Sequence, residues 1–352
     1  MTVKIHSIES AKAARRKLTV ETQVPFSLNG ERHTVTKKIV NGEMDVLECS
    51  KPIGEMLTFA NSRKELLEKV VLDVELGREM VPVLYGPIYE RLEDRNFPKT
   101  FEAKWAQWGT VVFLEHLEGE EVKFGSMMAE NGPIAHINGY AAGFEYTKEM
   151  QIFNQTFNFE ILNRAFGEAH NALLNHLHFG PILAHNYLPA NQTAPVLVDY
   201  MGNITAVPAD VHRILSIRAT IKQAIVDART AGRPGTILIA NSADQYDIEE
   251  AIGAHYIAAT PFKPLEGISD IIYYDGWQTQ VSQKTYAYPG VTQGHMYLVR
   301  PRRGFKELVK QQLEVNAHIA DPSRLIEAQI IGDFWRGVFA AIDENVQEIT
   351  LP

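Results

Sequence analysis

The run Trp105-Ala-Gln-Trp-Gly-Thr-Val-Val-Phe-Leu-Glu-His116 opens the stretch whose reading decides the fold. It is rich in aromatic and β-branched residues, a strand composition. A charged turn, Leu117-Glu-Gly-Glu-Glu121, leads into a second strand-like run, Val122-Lys-Phe-Gly-Ser-Met-Met128. After Asn131-Gly-Pro133 the chain extends again to 146. Then the period changes. From 148 to 178 the apolar residues fall at Phe153, Phe157, Ile161, Ala165, Phe166, Ala169, Leu173 and Leu177, the i, i+4 stripe of one amphipathic helix. Such a helix spans roughly 45 Å and is longer than the usual globular helix. Gly180-Pro181 is expected to stop it. A hairpin this long cannot bury both faces on one helix. Its tip carries Glu118, Glu120, Glu121 and Glu130 and little core material. It is expected to project and reach a neighbour, although an ordinary meander packed on a helix within one domain fits the same pattern.

The chain as a whole has 352 residues, 45% hydrophobic and 22% charged, the balance of a soluble globular protein with material for two or three compact units. No apolar run is long enough for a membrane span, and Met1-Thr-Val-Lys-Ile-His-Ser7 has no apolar signal core. The single cysteine, Cys49, excludes an internal disulfide framework and fits folding in the cytosol. A net charge of −9 argues against a protein that coats nucleic acid with its whole surface. The charge is uneven: residues 1–51 hold nine Lys or Arg against six acids, a balance of +3 that leaves −12 for the rest. The basic cluster Lys12, Arg15, Arg16 and Lys17 reads either as a partner-binding arm or as a solvated tail.

Residues 1–57 show no sustained period and read as an extended arm, with short strands around 20–26 and 33–40. Ser62-Arg-Lys-Glu65 has the form of a capping box and predicts a helix over 63–80. Beyond the long helix, 196–200 is strand-like. Pro208 would open a helix reaching Ala231, with Gly232 just past its end. Residues 236–240 form a short buried strand, and Asp244 caps a helix to about 258, together a small α/β layer. Residues 269–275 and 294–300 are strands, and 286–290 a tight turn. From 307 onward, apolar runs at 313–319, 324–331 and 334–342 read as consecutive antiparallel strands that close the sheet on which the long helix lies.

Chemistry is hard to find. The chain has no G-x-G-x-x-G, no Walker-type phosphate loop, no G-x-S-x-G elbow and no H-E-x-x-H. His170, His176, His178 and His185 are the best cluster. His176 and His178 point about 200° apart on a helix, so a polar helix end explains them better than a metal does. The carboxylates Glu115, Glu118, Glu120 and Glu121 sit on a projecting tip without a pocket, a poor setting for acid–base work. Asn241-Ser-Ala-Asp244 after a short strand suits a helix cap or a site at a strand end. No catalytic, cofactor or metal site is expected.

The order of these pieces resembles the major capsid proteins of tailed phages, the Hong Kong 97 fold. That resemblance implies an α+β chain built as an N-terminal arm (1–57), a helix and connection (58–104), an extended hairpin loop (105–148), a spine helix and peripheral domain (149–206), an axial α/β domain (207–290) and return strands of the peripheral-domain sheet (291–352). Gly119-Glu-Glu-Val-Lys-Phe-Gly125 and Tyr140-Ala-Ala-Gly-Phe-Glu-Tyr-Thr-Lys148 would lie in the loop, and Gly332-Asp-Phe-Trp-Arg-Gly337 and Val346-Gln-Glu-Ile-Thr-Leu351 in the terminal strands. It also implies self-assembly into pentamers and hexamers of an icosahedral virion shell, built in the host cytoplasm and closed around double-stranded DNA without sequence-specific contact. A portal and a separate scaffolding protein would be partners, since no scaffold-sized segment precedes the first helix. Inter-subunit contact is expected at Glu118, Glu120, Glu121, Val122, Lys123, Phe124, Met127 and Met128. Lys123 lies in the element that some relatives cross-link to an Asn with the aid of a Glu, but neither partner is matched here. An encapsulin-type cargo shell shares the fold, and a soluble α/β enzyme with an inserted hairpin is the reading from another class.

Overall fold

The structure, a computed structural model, describes residues 4–7, 20–28, 31–40, 43–44, 60–102, 134–147, 156–207, 210–253, 255–257, 260–281, 284–319 and 326–352. The fold is α+β. In chain order come β1 (Lys4–His6), β2 (Val20–Leu28), β3 (Glu31–Val40), β4 (Glu43–Met44), α1 (Ala60–Met80), β5 (Glu90–Glu93), β6 (Thr100–Glu102), β7 (Ile134–His136), β8 (Asn138–Thr147), α2 (Thr156–Leu183) and β9 (Gln192–Thr193). There follow α3 (Arg213–Thr230), β10 (Ile237–Ala240), α4 (Gln245–Ile252), β11 (His255–Ile257), β12 (Thr260–Phe262), β13 (Asp270–Tyr273), β14 (Gly276–Val281), β15 (Lys284–Pro289), β16 (His295–Val299), β17 (Phe305–Ile319), β18 (Ile326–Ala340) and β19 (Val346–Thr350).

Two sheets organise the chain. A six-stranded sheet runs in the order β1-β13-β10-β16-β19-β9. Its β1, β13 and β10 are parallel, and such strands need cover on both faces. Ile-Leu-Ile-Ala of β10 meets that need: Ile237 and Ile239 join a core with Leu174, Phe179 and Tyr297, while Leu238 and Ala240 join a second core with α3 and α4. The other sheet has seven strands, β4-β3-β2-β17-β18-β8, with β5 also on β17. At its centre β17 and β18, each of 15 residues, pair antiparallel from Phe305↔Ala340 to Ile319↔Ala328. The remaining edge of β17 is shared: β5 pairs with 306–309 and β2 with 315–317.

α2 lies on this sheet. Gly332 of β18 passes so close beneath it that a Cβ would sit 2.5 Å from the Phe166 ring. α1 packs against α2 with backbones touching, since a Cβ on Gly77 would meet Arg164 O at 1.9 Å and one on Gly167 would meet Val74 O at 1.9 Å. Asn171 and Asn175 of α2 then donate to the carbonyls of Arg78, Val81 and Pro82 and close the end of α1.

Several expectations need correction. α2 does not stop at Gly180: Pro181 lies inside it. Proline there forfeits a single backbone bond close to the helix end, Ala184 N–H still reaches Gly180 O, and the fully buried Ile182 holds the last turn in the core. α1 begins at Ala60, so Ser62 lies within its first turn. α3 begins at Arg213, where His212 Nδ1 accepts from Leu215 N–H, while Val211 is taken by a bridge to Asp199. Its end is as expected, with Gly232 at φ +75°. α4 ends at Ile252, whose carbonyl accepts from Leu265 N–H, and β11 and β12 form a hairpin in place of its last turns. Asp244 stands at the N-cap position of α4 as expected, but its side chain makes no capping bond; it accepts from Gly294 N–H at 2.8 Å, and Asn241 caps the short turn before it. Residues 286–289 are strand, paired through Tyr286↔Thr279 and Tyr288↔Trp277, and the chain turns at Gly290. Residues 196–200 make only isolated bridges, because the Asp199 carboxylate accepts from Met201 and Asn203 N–H and turns the chain early. The expected break after 342 falls in the turn that follows β18, the one after 319 lies on residues 320–325, outside the described residues, and 326–340 is one strand, not two.

Candidate functional site

The helical stripe of α2 buries its histidines in different places. His178 is fully buried and stacks on Tyr85, with ring centroids 3.4 Å apart and planes 2° from parallel. Its Nδ1–H donates to Leu174 O at 2.7 Å, which leaves Nε2 3.8 Å from Glu307 Oε1. Glu307 pairs with Arg336 across the β17–β18 ladder, and both are buried. Tyr85 ties the group together: its hydroxyl donates to Glu307 at 2.8 Å and accepts from Arg336 at 3.1 Å. Burial first, and then the Glu307 charge, push the Tyr85 phenol above its ordinary range. Burial holds the His178 imidazole down at about 3. A neutral histidine, a phenol and a buried ion pair form a polar box that joins α2 to the long strands.

The other histidines go elsewhere. His170 is buried beside Phe334, and its Nδ1–H donates to Asn171 Oδ1 at 3.0 Å; burial and then Arg78 hold it well below the usual range. His176 stacks on Tyr288, and His185 meets Asp343 at 2.8 Å. They do not converge, and among the described residues no group of three or more His, Cys, Asp or Glu is placed to hold a metal ion.

A cleft of about 390 Å³ opens at the ends of β1, β13 and β10. Ser7, Ser242, Gln245, Tyr246, Asp275 and Trp277 are among its lining. Of these, sequence reasoning had flagged only the segment 241–244; Tyr246, Asp275 and Trp277 carry no local signal and are brought together by the sheet. Exposed apolar side chains lie on the turn after β9, at Tyr200, Met201 and Ile204, and on α2 at Ile161 and Leu162.

The contact residues expected from the sequence, Glu118, Glu120, Glu121, Val122, Lys123, Phe124, Met127 and Met128, lie outside the described residues, as do the arm's Lys12, Arg15, Arg16 and Lys17. What the structure does place is the base of the hairpin. β6 and β7 pair from Thr100↔His136 to Glu102↔Ile134, so the two ends of segment 103–133 stand side by side. No helix among the described residues is long and apolar enough to cross a membrane.

No family model matches the sequence, and no curated protein matches it. Solved structures are similar to it over most of its length. The mature capsid of bacteriophage PhiM1 aligns with a TM-score of 0.49 at 11% identity, covering 77% of this chain and 87% of that one. The capsid of cyanophage P-SCSP1u gives 0.48 at 11%, covering 76% and 88%. A virus-like particle from Pyrococcus furiosus gives 0.48 at 12%, covering 81% and 99%.

Proposed function

We propose that this chain is the major shell subunit of a tailed-phage-type head and works by assembling into pentamers and hexamers that close around double-stranded DNA. The observation that supports the reading is the α2–β17–β18 unit. A 28-residue helix is laid along two paired 15-residue strands. β8 closes one edge of the sheet with Asn138, Gly139, Ala141, Ala142, Gly143 and Glu145 exposed, and α2 presents Ile161 and Leu162 half-exposed. Open strand edges and exposed apolar helix positions are liabilities in a lone enzyme and contact surfaces in a lattice. A shell subunit uses several such surfaces at once, well beyond the roughly 1,600 Å² of one standard interface.

The same reading makes a scaffolding protein and a portal partners in assembly. The test is negative-stain microscopy and velocity sedimentation of the protein, alone and co-expressed with the neighbouring scaffold. Closed shells of uniform size are expected. A persistent monomer with scaffold supplied, together with small-molecule turnover, would overturn the proposal in favour of an enzyme. Shells that enclose protein instead of DNA would make it a cargo compartment.

A further inference from the structure

The cleft at the ends of β1, β13 and β10 combines aromatic side chains with a carboxylate. Ser7 follows β1, Asp275 follows β13 and Ser242 follows β10, and all three line it. Clefts outside the carboxyl ends of parallel strands are where open α/β sheets place their ligands. Among the described residues its lining has one carboxylate, Asp275, no Lys, Arg or His, and the aromatic side chains of Tyr246, Tyr273, Tyr274 and Trp277. Aromatic faces beside a carboxylate attract ammonium and guanidinium groups. An anion has little to hold it. The amides of the turn at 242–244 are already used: Ser242 N–H by Asp275 Oδ1 at 2.7 Å, Ala243 N–H by the Asn241 side chain at 2.9 Å, and Asp244 N–H by Asn241 O at 3.2 Å.

We propose that the cleft receives the basic segment of the same chain that follows Ser7, with Lys12, Arg15, Arg16 and Lys17 as the groups that enter it. Chain continuity supports this occupant. Ser7 is part of the wall, and five further residues reach at most about 17 Å, so Lys12 cannot leave the neighbourhood. Charge supports it too, since four basic residues in six positions face an aromatic cleft with a single acid at its mouth. There is also a need for it. β1 is an edge strand of only three residues, Lys4↔Asp270, Ile5↔Ile271 and His6↔Ile272, too short to hold an arm by itself. The cleft then acts as a latch that seats the arm on its own subunit, a role a free subunit would have whether or not it forms shells.

Tyr246 sits at the rim and is 85% exposed, so replacing it leaves the core alone. The test puts p-benzoylphenylalanine at 246 in the full chain, irradiates it, and maps the cross-linked peptide by mass spectrometry. Cross-links to residues 8–19 are expected. Asp275→Asn keeps an acceptor for Ser242 N–H but removes the charge, and it should lower their yield roughly tenfold, as should Arg15→Gln/Arg16→Gln. Mixing isotopically heavy and light chains identifies the donor. Cross-links within one chain support the latch, whereas cross-links only between heavy and light chains overturn it in favour of an exchanged arm. Cross-links to other segments, or a yield indifferent to both charge variants, also overturn it.

Discussion

His178 is a titratable side chain kept neutral in a core, and that has a consequence for stability. Burial lowers its folded pKa to about 3, and Arg336 adds to the shift. The unfolded chain has the ordinary value near 6.5. Between those two values the unfolded state holds a proton that the folded state does not, so stability is full above about 6.5 and falls as pH drops toward 3. One such histidine gives a slope of about 1.4 kcal/mol per pH unit, and His170, depressed by burial in the same direction, steepens it. His178→Phe keeps a ring on Tyr85 but removes the titration and the bond to Leu174 O. It should be about 1 kcal/mol less stable at neutral pH, yet lose stability more slowly in urea titrations between about pH 6 and 4.5, by one proton's worth of slope. An unchanged slope would mean that the box accommodates the imidazolium, with Glu307 as its partner. Of this box the sequence offered only His178, read as part of a polar helix end, whereas it is fully buried. The members of the box lie on α2 (His178), β17 (Glu307), β18 (Arg336) and the connection after α1 (Tyr85), and only the strand register brings Glu307 and Arg336 together.

The α1–α2 crossing turns on Gly77 and Gly167, and Gly167→Ala separates propensity from packing. In a helix open to solvent, alanine is favoured over glycine by about 1 kcal/mol. At 167 the added Cβ would meet Val74 O at 1.9 Å, a backbone atom that cannot step aside without moving α1. The clash decides the sign: a loss of about 2–3 kcal/mol is expected in thermal or chemical melts, with a gain instead if the crossing is looser than it stands here. Elements were the level at which the sequence spoke most clearly. Periodicity located α1, α2 and α3, and the apolar runs located β10, β13, β16 and the final strands, because each of these patterns is set by one-sided or full burial. It failed where local and tertiary forces part. Pro181 continues a helix because Ile182 is buried, and 286–289 is strand because its tyrosines pair across β14. Gly332, which looks like a break, is the residue that lets Phe166 lie on β18. Outside segment 241–244 the cleft residues were missed for a further reason: Ser7 and Asp275 meet Ser242 only through strand order.

At the scale of the molecule, the proposal that this chain assembles into shells turns on whether the hairpin is part of its own core or an arm for a neighbouring copy. Its base belongs to the core. Ala135 and Ile137 are buried with Leu308 and Phe339, and Ile137 N–H bonds Lys99 O. Glu102 and Ile134 are cross-strand partners, so segment 103–133 leaves and returns at one place, and shortening it puts no strain on the sheet. The tip has a composition unsuited to a core, with Glu118, Glu120 and Glu121, yet Val122, Phe124, Met127 and Met128 offer apolar area. Covering that area on a neighbour would contribute several kcal/mol at roughly 25 cal/mol per Å². The carboxylates would set register and association rate more than affinity. Deleting 118–130 and closing the gap with a two-residue turn should therefore leave a folded subunit, with native-like helix content and a cooperative melt, that no longer closes shells. A deletion variant that assembles normally would show that the tip is not an assembly arm. One that unfolds would show that the hairpin packs as a meander on its own helix, and that the lattice contacts must be sought on the open edge of β8 and the exposed end of α2.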